Sequence, residues 1–416
     1  MALRLFLVVW FSVVTTAAVT DASVTKPKPA VFRVLAHVSP GGGYSADVVG
    51  ERHYAYLSSR MGKSDCPAQG VRVYDLAHPR RPRHVSTFAR IPGTWTEKTI
   101  VRRVRTAGFD GVLAATSVQA CTGSGFGGFV VYDVTRPQHP RELARVRTAP
   151  RGSHEIWLAT ARGHAWVYTA EAAAEFAVTR ESFGFHIYDV TRPAEPKEVG
   201  GWSACRDLDD CTPLTPPSDG ADHRHLVHSV ITNAAVTRAY LSYWRLGTVI
   251  LDISDPSKPR YLGRTPTGQG NAHSAWLLSD EKIMLETHEL DRGRPVVWNV
   301  ANPAQPVRLS TVRLPARLEP GGIYTDVPLA DSVHDPKAAG RFAYFSWYGQ
   351  GVALFNLSKP RQPRFLARFQ PPPARDRHAL LCPGVSCTAV WGVYVMPRYV
   401  LASDMSSGLW VLSRPR

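Results

Sequence analysis

The sequence predicts an all-β chain: a seven-bladed β-propeller of four-stranded antiparallel blades, with the ring closed by its own N-terminal strand. Three observations carry this. One strand-and-turn unit recurs seven times, two further short apolar strands precede each copy, and the last copy lacks an outer strand that the N-terminus can supply.

The unit reads GVRVYDLAHPRRP (70–82), GFVVYDVTRPQHP (128–140), GFHIYDVTRPAEP (184–196), GTVILDISDPSKP (247–259), RPVVWNVANPAQP (294–306) and GVALFNLSKPRQP (351–363), with a truncated GLWVLSRPR from Gly408. Successive copies start 58, 56, 63, 47, 57 and 57 residues apart, room for four short strands and their loops. The apolar run after the Gly is a strand buried on both faces. Asp or Asn at Asp75, Asp133, Asp189, Asp252, Asn299 and Asn356 ends the strand by bonding nearby backbone N–H groups. Two prolines three apart, such as Pro256 and Pro259, stop the chain from continuing as helix or central strand. A fourth, outer strand follows, as in RYLGRT (260–265) or RFLARF (364–369).

Ring closure is a separate test. The seventh unit ends with the chain and has no outer strand. Phe32 to Val38 matches the outer strand of the sixth unit once Leu35 is set on Leu366.

The strand and turn GTVILDISDPSKP resemble the LVIVD repeat of bacterial and archaeal exported proteins. The resemblance covers essentially all of the chain after its leader. It implies the propeller and export, and it is almost silent on chemistry. Asn299 and Asn356 stand where that repeat has Asp, and Ser413 does so in the truncated copy.

Met1 to Arg4 is a short basic start, Leu5 to Val14 is apolar, and small residues follow, with candidate cleavage points after Ala18 or Ala22. That layout is a secretory signal peptide over 1–22, with the propeller over 23–416, and the run is too short for a membrane span. No second long apolar stretch exists, so the expectation is a secreted, extracellular or cell-surface-associated protein with no transmembrane segment in the mature chain. Six cysteines (Cys66, Cys121, Cys205, Cys211, Cys382, Cys387) fit an exported chain with three disulfides. Fifteen connectivities exist for six cysteines. The short spacings favour Cys205–Cys211 and Cys382–Cys387, leaving Cys66–Cys121.

The formal charge is +15, from 49 Lys and Arg against 34 Asp and Glu. It points to an anionic partner such as an envelope polymer or glycan, and export argues against nucleic acid. Arg83, Arg141, Arg260 and Arg364 belong to a basic lower rim beside the Pro-x-x-Pro turns. A monomer is expected.

The other face carries the chemistry. His154, His228, His273 and His334 stand near the start of the innermost strand in four consecutive units, and Trp391 takes that place in the seventh. Equivalent positions in a propeller surround the mouth of the channel. Three imidazoles converging there would hold zinc, copper or iron, so a divalent transition metal is the cofactor expected. The competing reading is a polar channel lining bonded to water and carbonyls. Tyr243, Trp244, His288, Trp347, Tyr348, Trp391 and Asp404 lie near the same mouth and suit a sugar or another amphipathic ligand. The acidic loop between Cys205 and His228 lacks the spacing of a calcium loop. No nucleophile elbow, phosphate loop, dinucleotide fingerprint or zinc-protease helix is present. Two functions are therefore expected, in this order: a binding or scaffold module of the cell envelope or extracellular space, and a metal-dependent hydrolase or oxidoreductase at the channel mouth.

Overall fold

Alternating apolar strands separated by Asx turns and prolines can bury both faces only by stacking sheet on sheet, and radial repetition does so without a long free edge. The computed structural model describes residues 30–415 apart from 42, 62–65, 123–124, 149–150, 172–183, 211–224, 268–270, 291, 319–330, 376–381 and 383–384. It is a seven-bladed propeller of four-stranded antiparallel sheets. From blade one to blade seven the innermost strands are Tyr44–Glu51, Thr99–Arg105, Glu155–Ala161, Val227–Thr232, Ala272–Leu277, Val333–Ala339 and Val390–Val395. Blade two carries an additional short strand, Thr94–Trp95, paired to its long second strand Asp110–Ala120.

The repeat unit behaves as its chemistry dictates. Asp75, Asp133, Asp189, Asp252, Asn299 and Asn356 each accept the backbone N–H two residues on, at 2.7–3.0 Å. Three of these carboxylates also hold the first arginine of the outer strand: Arg83 at 3.2 Å, Arg141 at 3.3 Å and Arg260 at 2.5 Å. The basic rim is thus partly neutralised by its own turns. Gly247 and Gly351 open their strands at φ of 86° and 80°, and a Cβ at either would run into the carbonyl that ends the outer strand, Thr265 O or Phe369 O.

The N-terminal strand Val34–Val38 pairs antiparallel with Gly408–Ser413, giving blade seven three strands from the end of the chain and one from near its start. Every outer pair contains one β-bulge, and the extra residue is always aliphatic: Val85, Leu143, Val199, Leu262, Leu309, Leu366 and Leu35. All seven pack against the apolar layers between blades. Leu35 and Leu366 hold the same place in their bulges, as their sequence match requires. A bulge bends the strand and re-aims the extra side chain, which here leans towards the neighbouring blade.

Cys66–Cys121 and Cys382–Cys387 are disulfides, with Cα atoms 6.3 and 6.2 Å apart. Cys205 is disulfide-bonded as well, and Cys211 lies outside the described residues. Residues 1–22, expected from sequence to be a signal peptide, lie outside them too. No helix among the described residues is long and apolar enough to cross a membrane.

Removing residues 1–38 should leave Gly408–Ser413 as a bare edge and strip the cover from Leu409 and Val411. We expect a lower urea midpoint and association through that edge, visible by size-exclusion chromatography. A peptide of residues 30–41 added in trans should restore the midpoint.

Candidate functional site

A second set of bulges, on the innermost strands, builds the axis. His228, His273 and Trp391 are each the extra residue opposite a regular second strand, and His334–Asp335 and Ala46–Asp47 span the same irregularity in blades six and one. The extra residue and its successor then both face the channel instead of alternating. Two stacked layers result. The upper holds Ala46, Glu97, His154, His228, His273, His334 and Trp391. The lower holds Asp47, Lys98, Glu155, Ser229, Ser274, Asp335 and Gly392.

The bulge also frees a carbonyl from the ladder, and each such carbonyl takes the imidazole of the preceding blade. His228 Nδ1 donates to His273 O at 3.1 Å, His273 Nδ1 to His334 O at 3.0 Å, and His334 Nδ1 to Trp391 O at 2.7 Å. A carbonyl only accepts, so all three rings carry hydrogen on Nδ1 and a lone pair on Nε2. His154 Nδ1 faces the Gln119 side-chain oxygen at 2.8 Å and Glu97 Oε2 at 3.1 Å, which favours the same tautomer when Glu97 is ionised, although burial raises the Glu97 pKa well above the usual carboxylate range. The four Nε2 atoms consequently turn lone pairs towards the axis. Those of His154 and His228 are 2.9 Å apart. The Nε2 atoms of His273 and His334 are buried and have no hydrogen-bond partner among the described residues.

Two facing lone pairs at that distance need a positive charge between them. Burial holds His154, His228 and His334 well below the usual imidazole range and lowers His273 as well, so a proton is a poor candidate. A metal fits better. With metal–nitrogen bonds of about 2.0–2.1 Å, adjacent ligand atoms lie roughly 2.9–3.4 Å apart. His228, His273 and Glu289 offer ligand atoms all within 4.8 Å of one another, and Glu289 Oε2 is 3.6 Å from His273 Nε2. His228 is common to this set and the His154 contact. Nδ1–H bonds to carbonyls and carboxylates are the usual outer support of histidine ligands.

Aromatic rings cover this layer. The Trp244 indole stacks on His228 at 5.3 Å, and Trp391 and Tyr348 lie 4.2 and 5.1 Å from His334. The Tyr348 hydroxyl donates to Glu289 Oε1 at 2.5 Å. The Arg60 guanidinium sits 4.7 Å from both the Trp95 and Trp391 rings and 3.5 Å from Glu97 Oε2. His273 and His334 are almost fully covered, while the His154 side chain keeps 14% of its surface exposed, so access lies on the His154 side.

The remaining predicted ligand-binding residues are tied into the scaffold. Tyr243 accepts from Ala204 N at 3.0 Å, Trp347 donates to Asp331 O at 2.7 Å, and His288 pairs with Glu286 at 3.1 Å. Asp404 accepts from Ala389 N, Ser407 N and the Ser407 hydroxyl at 2.7–2.8 Å.

The lower layer is ionic. Lys98 Nζ lies 3.2 Å from Asp47, 3.4 Å from Glu155 and 3.1 Å from Asp335, which come from blades one, three and six. Lys337 also pairs with Asp335. Burial opposes the Lys98 charge, but the carboxylates Asp335, Asp47 and Glu155 outweigh it and raise its pKa well above the usual lysine range. Burial lifts Glu155 to about 7, while Lys337 and Lys98 overcome burial and bring Asp335 down to about 2. Glu155 and Asp335 directly follow two of the expected histidines, whereas Lys98, Asp47, Glu97 and Arg60 are not among the residues expected from sequence. Setting Thr96–Thr99 on Ser153–Ile156 would have exposed Glu97 and Lys98.

Lys98→Met should strand Asp47 and Glu155, leave Asp335 to Lys337, and cost about 3–5 kcal/mol in urea unfolding. The histidines give a pH dependence. They bind protons less well folded than unfolded, so metal-free protein is most stable above pH 6.5 and loses stability as pH falls below it. The melting temperature of chelator-treated protein between pH 8 and 5.5 should show this, and the drop should shrink in His228→Gln, His334→Gln.

No family model and no curated protein matches the chain. Among solved structures it is similar to Raptor of Chaetomium thermophilum, with a TM-score of 0.60 at 10% identity, over 93% of this chain. The chain spans 30% of the length of that protein, and at this identity the likeness is one of fold alone.

Proposed function

We propose that the protein is a metal-dependent enzyme whose transition-metal ion sits on the propeller axis, held by His228 and His273 with His154 and Glu289. The observation that carries this reading is the tautomer chain. Backbone carbonyls hold the hydrogens of His228, His273 and His334 on Nδ1, which turns their Nε2 lone pairs to the axis, and the Nε2 atoms of His154 and His228 face each other there at 2.9 Å. Nitrogen and carboxylate donors without thiolate suit zinc, copper or iron. The bound ion would supply Lewis-acid or redox chemistry to a small substrate arriving on the His154 side. Glu289, steadied by the Tyr348 hydroxyl, supplies negative charge at the site. Glu97 and Gln119 orient His154, and the aromatic cover of Trp244, Tyr348 and Trp391 limits water.

The second reading is a binding or scaffold module without an ion, in which the histidines act as struts between blades. It is favoured by the same hydrogen bonds, since each one joins neighbouring blades. Export and kinship with the LVIVD-repeat proteins belong to this proposal as well. They are supported by the repeat unit, the basic and apolar N-terminus and the bridged cysteines.

Elemental analysis of secreted protein separates the readings. We expect about one transition-metal ion per chain, lost in His228→Ala, His273→Ala. Returning the metal at about a hundredfold excess over its Kd should stabilise metal-free wild type by about 2.7 kcal/mol and leave the variant unchanged. A wild type that stays empty and gains no stability with zinc, copper or iron overturns the metal reading and leaves the struts.

A further inference from the structure

We infer that the channel below the ionic layer is a second ligand site, separate from the histidine centre and built for a free α-amino acid with an apolar side chain. The cavity has a volume of about 360 Å³ and lies between the Lys98 layer and the lower face. That is within the size range of small-molecule sites. Its ceiling is the Lys98, Glu155 and Asp335 cluster, whose charges satisfy one another. Its walls are mainly apolar and aromatic, with Val49, Ile100, Trp157, Ile231, Trp276 and Tyr394, and the Lys337 ammonium, paired with Asp335, lies 4.8 Å from the Trp276 ring. Trp157 and Trp276 stand edge to face at 5.8 Å.

At the mouth the chemistry changes. Arg102 and Glu51, on the innermost strands of adjacent blades, both line the cavity, and among the described residues neither forms an ion pair. The Arg102 guanidinium lies 4.7 Å from the Trp157 ring, so one face is packed while its N–H edge is left for an acceptor. Burial works against its charge, with Tyr394 and Glu51 only partly compensating, which makes an added anion welcome there. The mouth therefore presents one cation and one carboxylate beside an apolar chamber. An α-amino acid carries the complementary pair on a single carbon, with its carboxylate for Arg102 and its ammonium for Glu51, and directs its side chain past them into the aromatic walls. A peptide separates its two terminal charges by its length and fits this mouth only if they come close together.

The ionic layer keeps the two sites apart. Lys98 bridges blades one, three and six across the axis, so a ligand enters this chamber from the lower face, away from the histidines.

Calorimetric titration of the folded full chain with L-phenylalanine, 3-phenylpropionate and 2-phenylethylamine tests the assignment. Phenylalanine should bind, and each single-charge analogue should bind at least about tenfold more weakly, because it leaves one mouth residue unpaired. Arg102→Met should bring phenylalanine down to the level of phenylethylamine, and Glu51→Gln down to that of phenylpropionate. Adding zinc or a chelator should leave binding unchanged, which separates this site from the metal proposal. The assignment is overturned if folded protein does not bind phenylalanine, if the analogues bind equally well, or if binding follows the added metal and ignores both substitutions.

Discussion

One lysine does for this propeller what a hydrophobic core does for a sandwich. Seven innermost strands converge on an axis that is lined, at its middle, by charged side chains from several blades. Lys98 leaves blade two and meets carboxylates from blades one, three and six at 3.1–3.4 Å. In a buried setting such an arrangement costs several kcal/mol of desolvation per ion, and it survives only when each charge is met by others. Here the three carboxylates meet one ammonium, Lys337 adds a second, and Glu155, lifted to about 7, relieves the excess negative charge by holding a proton part of the time. The apolar layers lie farther out, between the sheets, where Trp347, Tyr240 and Phe185 are fully buried.

The bulges make that polar axis possible. A regular strand would send every second side chain away from the channel, so the histidine layer and the ionic layer could not both face it. The irregularity at His228, His273, His334 and Trp391 turns consecutive residues inwards and releases a carbonyl at the same step. That carbonyl takes the neighbouring imidazole and also a hydroxyl: Ser229 to His273 O at 2.8 Å, Thr287 to His334 O at 2.6 Å and Ser346 to Trp391 O at 2.8 Å. One local distortion, repeated around the ring, thus joins the blades and sets the tautomers.

The architecture was legible because its determinants are local. The Gly, the buried strand, the Asx turn and the paired prolines are short-range chemistry, and Leu35 on Leu366 carried the ring closure because the outer bulge requires an aliphatic residue there. The histidine layer was legible for a related reason: four repeats place the same residue type at the same step. Blades one and two place Ala46 and Glu97 there, so the histidine pattern does not extend to them, and strand register is needed to reveal the equivalence of Ala46. Arg60 comes from a second strand and reaches over the axis, and no spacing announces that. Tyr243, Trp347, His288 and Asp404 show the opposite gap. Sequence places a residue at a strand end, but the hydrogen bonds that claim it, such as Ala204 N to the Tyr243 hydroxyl, are set by loops from elsewhere in the chain.

The charge pattern gives the two ends of the channel different characters. Above the Lys98 layer burial lowers the pKa of the histidines, Glu289 and Glu97 face them, and the Arg60 guanidinium stands beside Glu97. Below the layer the wall becomes aromatic, and the mouth carries Arg102 and Glu51, which form no ion pair among the described residues. Lys98 and its carboxylates, tightly paired, stand between the two. Besides burial, the histidines feel Lys98, which lowers the pKa of His154, His273 and His334, so the layer separates the two ends in space while remaining in electrostatic contact with the upper one. The same knot that holds the blades together therefore lets the two ends of the axis carry different chemistry.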